Sequence, residues 1–294
     1  MNTPRLTILV VVHNMSREAP RTLHTLTHAF QRFVNPDDYA VWVLESGSTR
    51  PLCEHDVTAF GPQFRYFRIQ PEHPSPVEAL NWALARVISP FVACAIDGAR
   101  MASPGCLAGL LEVLQWDERA LPFTLGFHLG HQPQNEAMVA GYDQHTEDTL
   151  LSSVPWQHDG YRLFDISVLA GSSNEGAFGR VAESNLFAVR TQTLQSLGGF
   201  DPRFTSRGGG YVNLDVFKRL VENPDIHPVC LLSEGTFHQF HGGVATNAGP
   251  SANPGPAFEE EYRRLRGHDY QRPTRPFAYW GRPLPCALRH HLTM

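Results

Sequence analysis

Acidic and imidazole side chains stand where several apolar runs stop. Asp97 follows the run Phe91 to Ile96 and precedes Gly98. A lone carboxylate closing an apolar strand is costly without a partner. A hard divalent cation that also bridges phosphate oxygens is a chemically sensible one. Glu45 closes a second run, Tyr39 to Leu44, ahead of the turn Ser46-Gly47-Ser48-Thr49. It can accept hydrogen bonds from a ligand bound at the strand end, or it can cap that turn. His13-Asn14 follows a third run, Leu6 to Val12. Far downstream, His238 and His241 lie within four residues, framed by Phe237, Phe240, Gly242 and Gly243. Imidazole ligates metals and, when charged, pairs with phosphate, and glycines permit close backbone approach. A zinc-hydrolase reading of the pair is poor, because the HExxH helix pattern is missing and Gly-Gly stops the segment.

These groups need elements to position them. Leu6 to Val12 does not alternate, which predicts a strand buried on both faces. A helical pattern follows with Leu23, Leu26, Phe30 and Phe33 facing inward and Pro20 near its start. Phe64 to Ile69 reads as a third strand. The next helix starts with Ser75 as N-cap, Pro76 as first residue and Glu78 completing a capping box. Its buried stripe is Val77, Leu80, Leu84, Val87 and Ile88. Phe91 to Ile96 is the fourth strand, and Ser103-Pro104 opens a helix through Leu107, Leu110, Leu111 and Leu114. Strands alternating with helices predict an α/β fold with a parallel sheet. Ligands of such sheets bind beyond the carboxyl ends of the strands. His13-Asn14, Glu45 to Ser48 and Asp97-Gly98 should therefore share one edge.

The second half is less regular. Leu121 to His131 suggests a strand leaving the sheet, Glu183 to Val189 another strand, and Asn213 to Val221 a helix. Val229 to Leu232 reads as a strand leading to the histidine segment. Val244 to Pro256 reads as a mobile loop suited to act as a lid, and Phe258 to Arg266 as a charged, exposed helix. Trp82 and Phe200 are expected in the core, whereas Trp156 and Tyr211, in loops, could stack on the face of a ligand.

Composition narrows the classes. The chain has 294 residues, 42% hydrophobic and 18% charged, which is globular rather than disordered. No window approaches the roughly 18 apolar residues of a membrane span. The net charge of −5 argues against a nucleic-acid partner held by electrostatics. Five scattered cysteines without a CxxC pair suggest reduced thiols and a cytoplasmic location.

Taken in order, LTILVVVHN, VWVLESGST, EALNWALARVISPFVACAIDGARM, LGGFDPRF and FHQFHGG resemble the family 2 glycosyltransferases of the GT-A fold. The likeness runs over most of residues 5–245. It implies a Rossmann-like, mostly parallel central sheet flanked by helices, with a less regular C-terminal half on the acceptor side. It places a GT-A domain at 1–245, divided into a nucleotide-binding half (1–100) and a sugar-facing half (101–245). Residues 246–294 then form a loop, a helix and a tail. The implied activity moves a sugar from a nucleotide-sugar donor to a glycan or other hydroxyl acceptor, with Mn²⁺ or Mg²⁺ at the diphosphate.

Residue by residue, Asp97 resembles the first acid of the family's DxD motif, but Asp97-Gly98-Ala99 lacks the second carboxylate. The resemblance makes His238 and His241 candidates for the missing metal ligand, with His238 preferred, and Arg100 a candidate partner for the diphosphate. Donor-binding candidates are His13, Asn14, Glu45, Ser48, Asp97, Arg100, Glu183 and Asn185. The family's catalytic Glu-Asp pair falls on Val212-Asn213, so Asp215 is the nearest carboxylate for the base and the stereochemistry stays open. A domain that binds nucleotide sugar without transfer is the alternative. A sugar-phosphate nucleotidyltransferase ranks last, for want of a glycine-rich loop after the first strand. Contact with a membrane surface and the oligomeric state are left open.

Overall fold

The computed structural model describes residues 3–244 and 253–292. The strands are β1 Leu6–Val12, β2 Tyr39–Ser46, β3 Phe64–Ile69, β4 Phe91–Ala95, β5 Arg100–Ala102, β6 Ala120–Leu129, β7 Ser167–Leu169, β8 Leu186–Arg190, β9 His227–His238 and β10 Ala278–Trp280. The helices are α1 Ala19–Thr25, α2 Glu54–Thr58, α3 Val77–Leu84, α4 Cys106–Trp116, α5 Gln134–Ala137, α6 Gln144–Ser152, α7 Thr191–Ser196, α8 Val212–Val221, α9 Gly255–Arg266 and α10 Pro285–Leu292. One mixed sheet takes all the strands in the order β10-β9-β6-β8-β4-β1-β2-β3, with β5 added to β9 and β7 to β6.

All seven residues of β1 are buried. Leu6, Ile8, Val10 and Val12 face a core closed by α1 and α4, whereas Leu9 and Val11 face one closed by α3 and α8. Period-two alternation thus feeds two apolar layers at once, which is why the run reads as unbroken hydrophobicity. Each such Leu, Ile or Val contributes about 1.5–3 kcal/mol. The parallel pairs β4-β1-β2-β3 send the segments after β1, β2 and β4 to the same edge.

Several local expectations give way to tertiary context. α1 ends at Thr25, so Phe33 falls outside it, 89% exposed with φ 62°. α3 ends at Leu84, which leaves Ile88 77% exposed although Val77, Leu80, Leu84 and Val87 are buried as the stripe requires. Ser75 makes no capping box: its hydroxyl donates to Phe204 O at 2.8 Å, and Glu78 instead accepts from the backbone N–H groups of Glu72 and His73. β6 does not leave the sheet. It lies between β8 and β9 with all ten residues buried. α9 is not wholly exposed, because Phe258, Glu261 and Tyr262 are buried on its inner face. The C-terminal segment returns to the sheet, with β10 parallel to β9. Most of the loop expected at Val244 to Pro256 lies outside the described residues.

Strand β9 is much longer than the four residues read from the pattern. Between Phe123 and Leu125 on β6, its register jumps from Cys230 to Gly235, a bulge where Ser233 takes φ 65°. Beyond the bulge β9 stays paired to β6 and gains β5 as an antiparallel neighbour, so that Arg100 faces His238. That three-residue strand joins the two halves of the site.

Candidate metal centre

Asp97 sits in a tight clamp at the end of β4. Its Oδ1 accepts from Ala99 N at 3.0 Å, and Gly98 N donates to Val11 O at 2.7 Å. A Cβ on Gly98 would lie 2.7 Å from that carbonyl and 2.8 Å from Val12 Cγ2, so only glycine fits beside β1. The β5–β9 pairing brings His238 Nε2 to 3.2 Å from Asp97 Oδ2. The turn after β9 folds back because Gln239 N donates to Ala99 O and Phe240 N to Glu147 Oε2. His241 Nε2 thereby comes 3.6 Å from Asp97 Oδ2 and 3.1 Å from His238 Nε2. One oxygen and two nitrogens all lie within 4.8 Å of one another.

Supporting contacts decide which atoms face inward. His238 is fully buried, and its Nδ1 meets Gln134 Oε1 at 2.7 Å. The amide oxygen accepts, so Nδ1 carries a proton and the ring turns its Nε2 toward Asp97 and His241. Gln134 Nε2 also donates to His238 O at 2.9 Å. Burial, reinforced by Arg100, pushes the His238 imidazole down to about 4, so it is neutral at physiological pH. His241 shifts the other way: burial opposes its charge, but Asp97 and Glu18 outweigh that and raise it. Asp97 is held well below the usual carboxylate range, its desolvation overcome by His241 and His238.

Beside this cluster lies a buried cation. Arg100 is 8% exposed, with Nε 3.6 Å from Asp97 Oδ2. Neither Nε nor Nη1 has a hydrogen-bond partner among the described residues, and burial lowers its affinity for the proton. The same holds for the acceptors Asn185 Oδ1 and Asn213 Oδ1. Asn185 Oδ1 and Arg100 Nη1 both abut Gly126, 3.3 and 3.8 Å from where its Cβ would stand. Glu183 acts electrostatically on Arg100 and accepts from Asn213 Nδ2 at 2.6 Å. Buried polar atoms left without protein partners cost about 1–3 kcal/mol each. Their grouping here suits a polar ligand.

The structure brings together Asp97, His238, His241, Arg100, Glu183 and Asn185. The remaining candidates are engaged elsewhere. Glu45 is 1% exposed, accepting from Ser48 Oγ and, at 2.7 Å, from Leu52 N. Its carboxylate caps its own turn, against the ligand role favoured from sequence. Ser48 Oγ also accepts from Asn14 N, and Asn14 Oδ1 accepts from Thr49 N and Arg50 N, each at 3.0 Å. His13 Nδ1 meets Ser46 O at 2.7 Å. These residues lace the ends of β1 and β2 together. Asp215, the sequence candidate for a base, is 1% exposed and gripped by Arg219 at 2.8 Å and by Arg266 at 2.6 and 2.8 Å. Two guanidiniums on one carboxylate make it an anchor for α9 and occupy both of its oxygens. Trp156 is buried against His24 rather than stacked on a sugar, and Tyr211 packs against Phe258, Tyr262 and Tyr270.

Sequence reasoning passed over Gln134, Glu147 and His128. Glu147 is fully buried and pushed up to about 7 by desolvation, although Phe240 N–H and Arg17 pull it down. It stands in the first turn of α6, whose N-cap Asp143 accepts from Thr146 N, and it reads locally as an ordinary exposed helix acid. His128 pairs in register with His238, their ring centroids 5.4 Å apart, and its Nδ1 accepts from Gln134 N. A histidine inside an unbroken buried strand was the available signal.

No protein-family model matches this chain, and no curated protein does. Solved structures do. A mannosyltransferase of Pyrobaculum calidifontis in complex with GDP-Man and Mn²⁺ superposes with a TM-score of 0.54 at 15% identity, covering 93% of this chain and 67% of its own. GalNAc-T7 with UDP, GalNAc and Mn²⁺ superposes at 0.51 and 13% identity, covering 82% of this chain. This chain spans only 45% of the GalNAc-T7 chain. At these identities the likeness establishes architecture, the mixed and mostly parallel helix-flanked sheet of GT-A glycosyltransferases.

Proposed function

From a GT-A fold that carries a carboxylate, two imidazoles and a buried guanidinium at one sheet edge, we propose a metal-dependent glycosyltransferase. It transfers a sugar from a nucleotide-sugar donor to a hydroxyl acceptor. The observation that carries this reading is the meeting of Asp97 Oδ2 with the Nε2 atoms of His238 and His241. That donor set, one oxygen and two nitrogens, fits a divalent ion such as Mn²⁺. Asp97, His238 and His241 would hold the ion, which neutralises charge on the departing diphosphate when bound. Asp97 thus serves the reaction through the ion. His238 and His241 together replace the second carboxylate that Asp97-Gly98-Ala99 lacks.

Arg100 supplies the second positive charge. A guanidinium with free donors inside the protein suits the bidentate binding of phosphate oxygens. Asn185 offers an acceptor for a sugar hydroxyl on the same side. His13, Asn14, Glu45 and Ser48 act behind the nucleotide by holding the β1 and β2 turns in place. All five cysteines are free thiols, which supports a reducing compartment such as the cytoplasm. No helix among the described residues is long and apolar enough to cross a membrane.

Calorimetric titration with UDP and GDP, with and without Mn²⁺, tests the reading. Nucleotide binding that requires Mn²⁺ and is lost in Asp97→Ala and His238→Ala is the expected result. Binding of neither nucleotide, or binding indifferent to metal in all three proteins, would sink it. Turnover separates an enzyme from a domain that only binds: the wild type should slowly hydrolyse at least one UDP-, GDP- or dTDP-sugar.

A further inference from the structure

We propose that Glu183 is the proton acceptor for the incoming hydroxyl, an inference that rests on the glycosyltransferase reading above. In the transfer, the acceptor oxygen forms a bond to the anomeric carbon while the bond from that carbon to the diphosphate breaks. The hydroxyl proton passes to Glu183 Oε1, and the nucleoside diphosphate leaves with the bonding electrons. A group that takes this proton must be anionic, reachable and not locked in a direct ion pair.

Glu183 meets these conditions where Asp97, Asp215, Glu18, Glu147, Glu45 and Glu234 do not. Asp97 is committed to the two imidazoles, and Asp215 to Arg219 and Arg266. Glu18 and Glu147 share Arg17, and Glu45 caps its own turn. Glu234 is buried against Tyr161, Ser103 and the start of α4. Glu183 is half-buried and makes no ion pair within 4 Å among the described residues. Its partner is a neutral amide, because Asn213 Nδ2 donates to Glu183 Oε2 at 2.6 Å and to Ser184 O at 3.1 Å. That bond orients the carboxylate without discharging it and leaves Oε1 for substrate. Asn213 stands in the first turn of α8, where the helix dipole favours an anion.

Placement agrees with the role. Glu183 lies two residues before Asn185, whose Oδ1 flanks Gly126 together with Arg100 Nη1. Arg100 in turn lies 3.6 Å from Asp97. The position on α8 where a carboxylate would be expected from the family pattern holds Asn213, and the negative charge stands across its hydrogen bond instead. The sequence-based assignment of Glu183 to sugar hydroxyls becomes a catalytic one, with inversion at the anomeric carbon.

The test uses the full chain with Mn²⁺, a panel of UDP- and GDP-sugars, and water as the acceptor. Glu183→Gln keeps an oxygen for Asn213 Nδ2 and so preserves the local fold. Donor hydrolysis should fall at least about 100-fold, with Mn²⁺-dependent UDP or GDP affinity within about twofold of wild type. The acid limb of the kcat/KM–pH profile should vanish in this variant, and wild type should release the inverted anomer by NMR. Glu183→Ala combined with Asn213→Asp should recover part of the rate. Hydrolysis by Glu183→Gln near the wild-type rate, or a retained anomer, would overturn the assignment. Nucleotide affinity falling in step with rate would return Glu183 to a donor-holding role. Wild type that binds nucleotide but turns over no donor removes the base. Wild type without Mn²⁺-dependent nucleotide binding removes the underlying reading as well.

Discussion

Gln134 shows how much one amide can decide. It fixes the His238 tautomer through Nδ1, donates to His238 O, and gives its backbone N–H to His128. Remote partners of this kind set the basicity and direction of a ligand, and their removal typically costs 10–100-fold in metal affinity. Gln134→Leu should therefore weaken Mn²⁺ binding about 10–100-fold by calorimetry, while His238 itself remains in place. Unchanged affinity would mean that packing alone orients the ring. The contrast with Glu45 is instructive. Both are buried polar side chains, but Glu45 finds its partners within seven residues and turns inward, closing its turn on Ser48 and Leu52.

At the scale of elements, helix α9 is docked by charge as well as by Phe258 and Tyr262. Arg266 bridges Asp215, at 2.6 Å, and Asp201, at 2.8 Å, tying α9 to the first turn of α8 and to the loop before it. Arg203 first, and Arg266 with it, hold the Asp201 carboxyl below its ordinary range. A depressed carboxylate contributes stability above its unfolded pKa, and that contribution is lost as pH falls through the folded one. Thermal stability should thus drop as the pH falls below about 4, and Arg266→Met should blunt that dependence. The same substitution should cost about 3 kcal/mol in denaturant unfolding at pH 7, because Asp215 keeps only Arg219 in a buried setting. A cost near zero would show the bridge to be incidental. The three-residue β5 matters as much for the site: its pairing to β9 sets His238 against Asp97.

For the whole molecule, the sheet divides two apolar layers, and the candidate centre sits where its N-terminal and C-terminal strands meet at β5 and β9. A ligand that joins Asp97 to His238 and His241 therefore links both halves. UDP with Mn²⁺ at about 100 times the dissociation constant should add about 2.7 kcal/mol to stability, raising Tm by about 5 °C. Removal of the metal with EDTA should abolish the shift. An equal shift from nucleotide alone would place the binding energy outside the Asp97 cluster.

Much of this was legible before any fold was known. Leu6 to Val12 and Phe64 to Ile69 coincide with β1 and β3, and the strand-end position of Asp97 follows from the apolar run before it. These depend on periodicity, which reports the faces a segment buries using neighbours alone. The ends of elements were less legible: Phe33 and Ile88 kept the helical spacing although their helices had already stopped. Which polar groups would meet was only partly legible: capping of its own turn was one of two readings for Glu45, and the meeting of Asp97 with the histidines came from the resemblance, not from the local pattern. Glu45, Asp97 and Asp215 look alike in sequence, but tertiary structure gives the first a hydroxyl and an amide, the second two imidazoles, and the third two guanidiniums. The apolar pattern determined the layers. The charges acquired their roles only when distant segments packed, because a buried carboxylate is defined by the partner that compensates it.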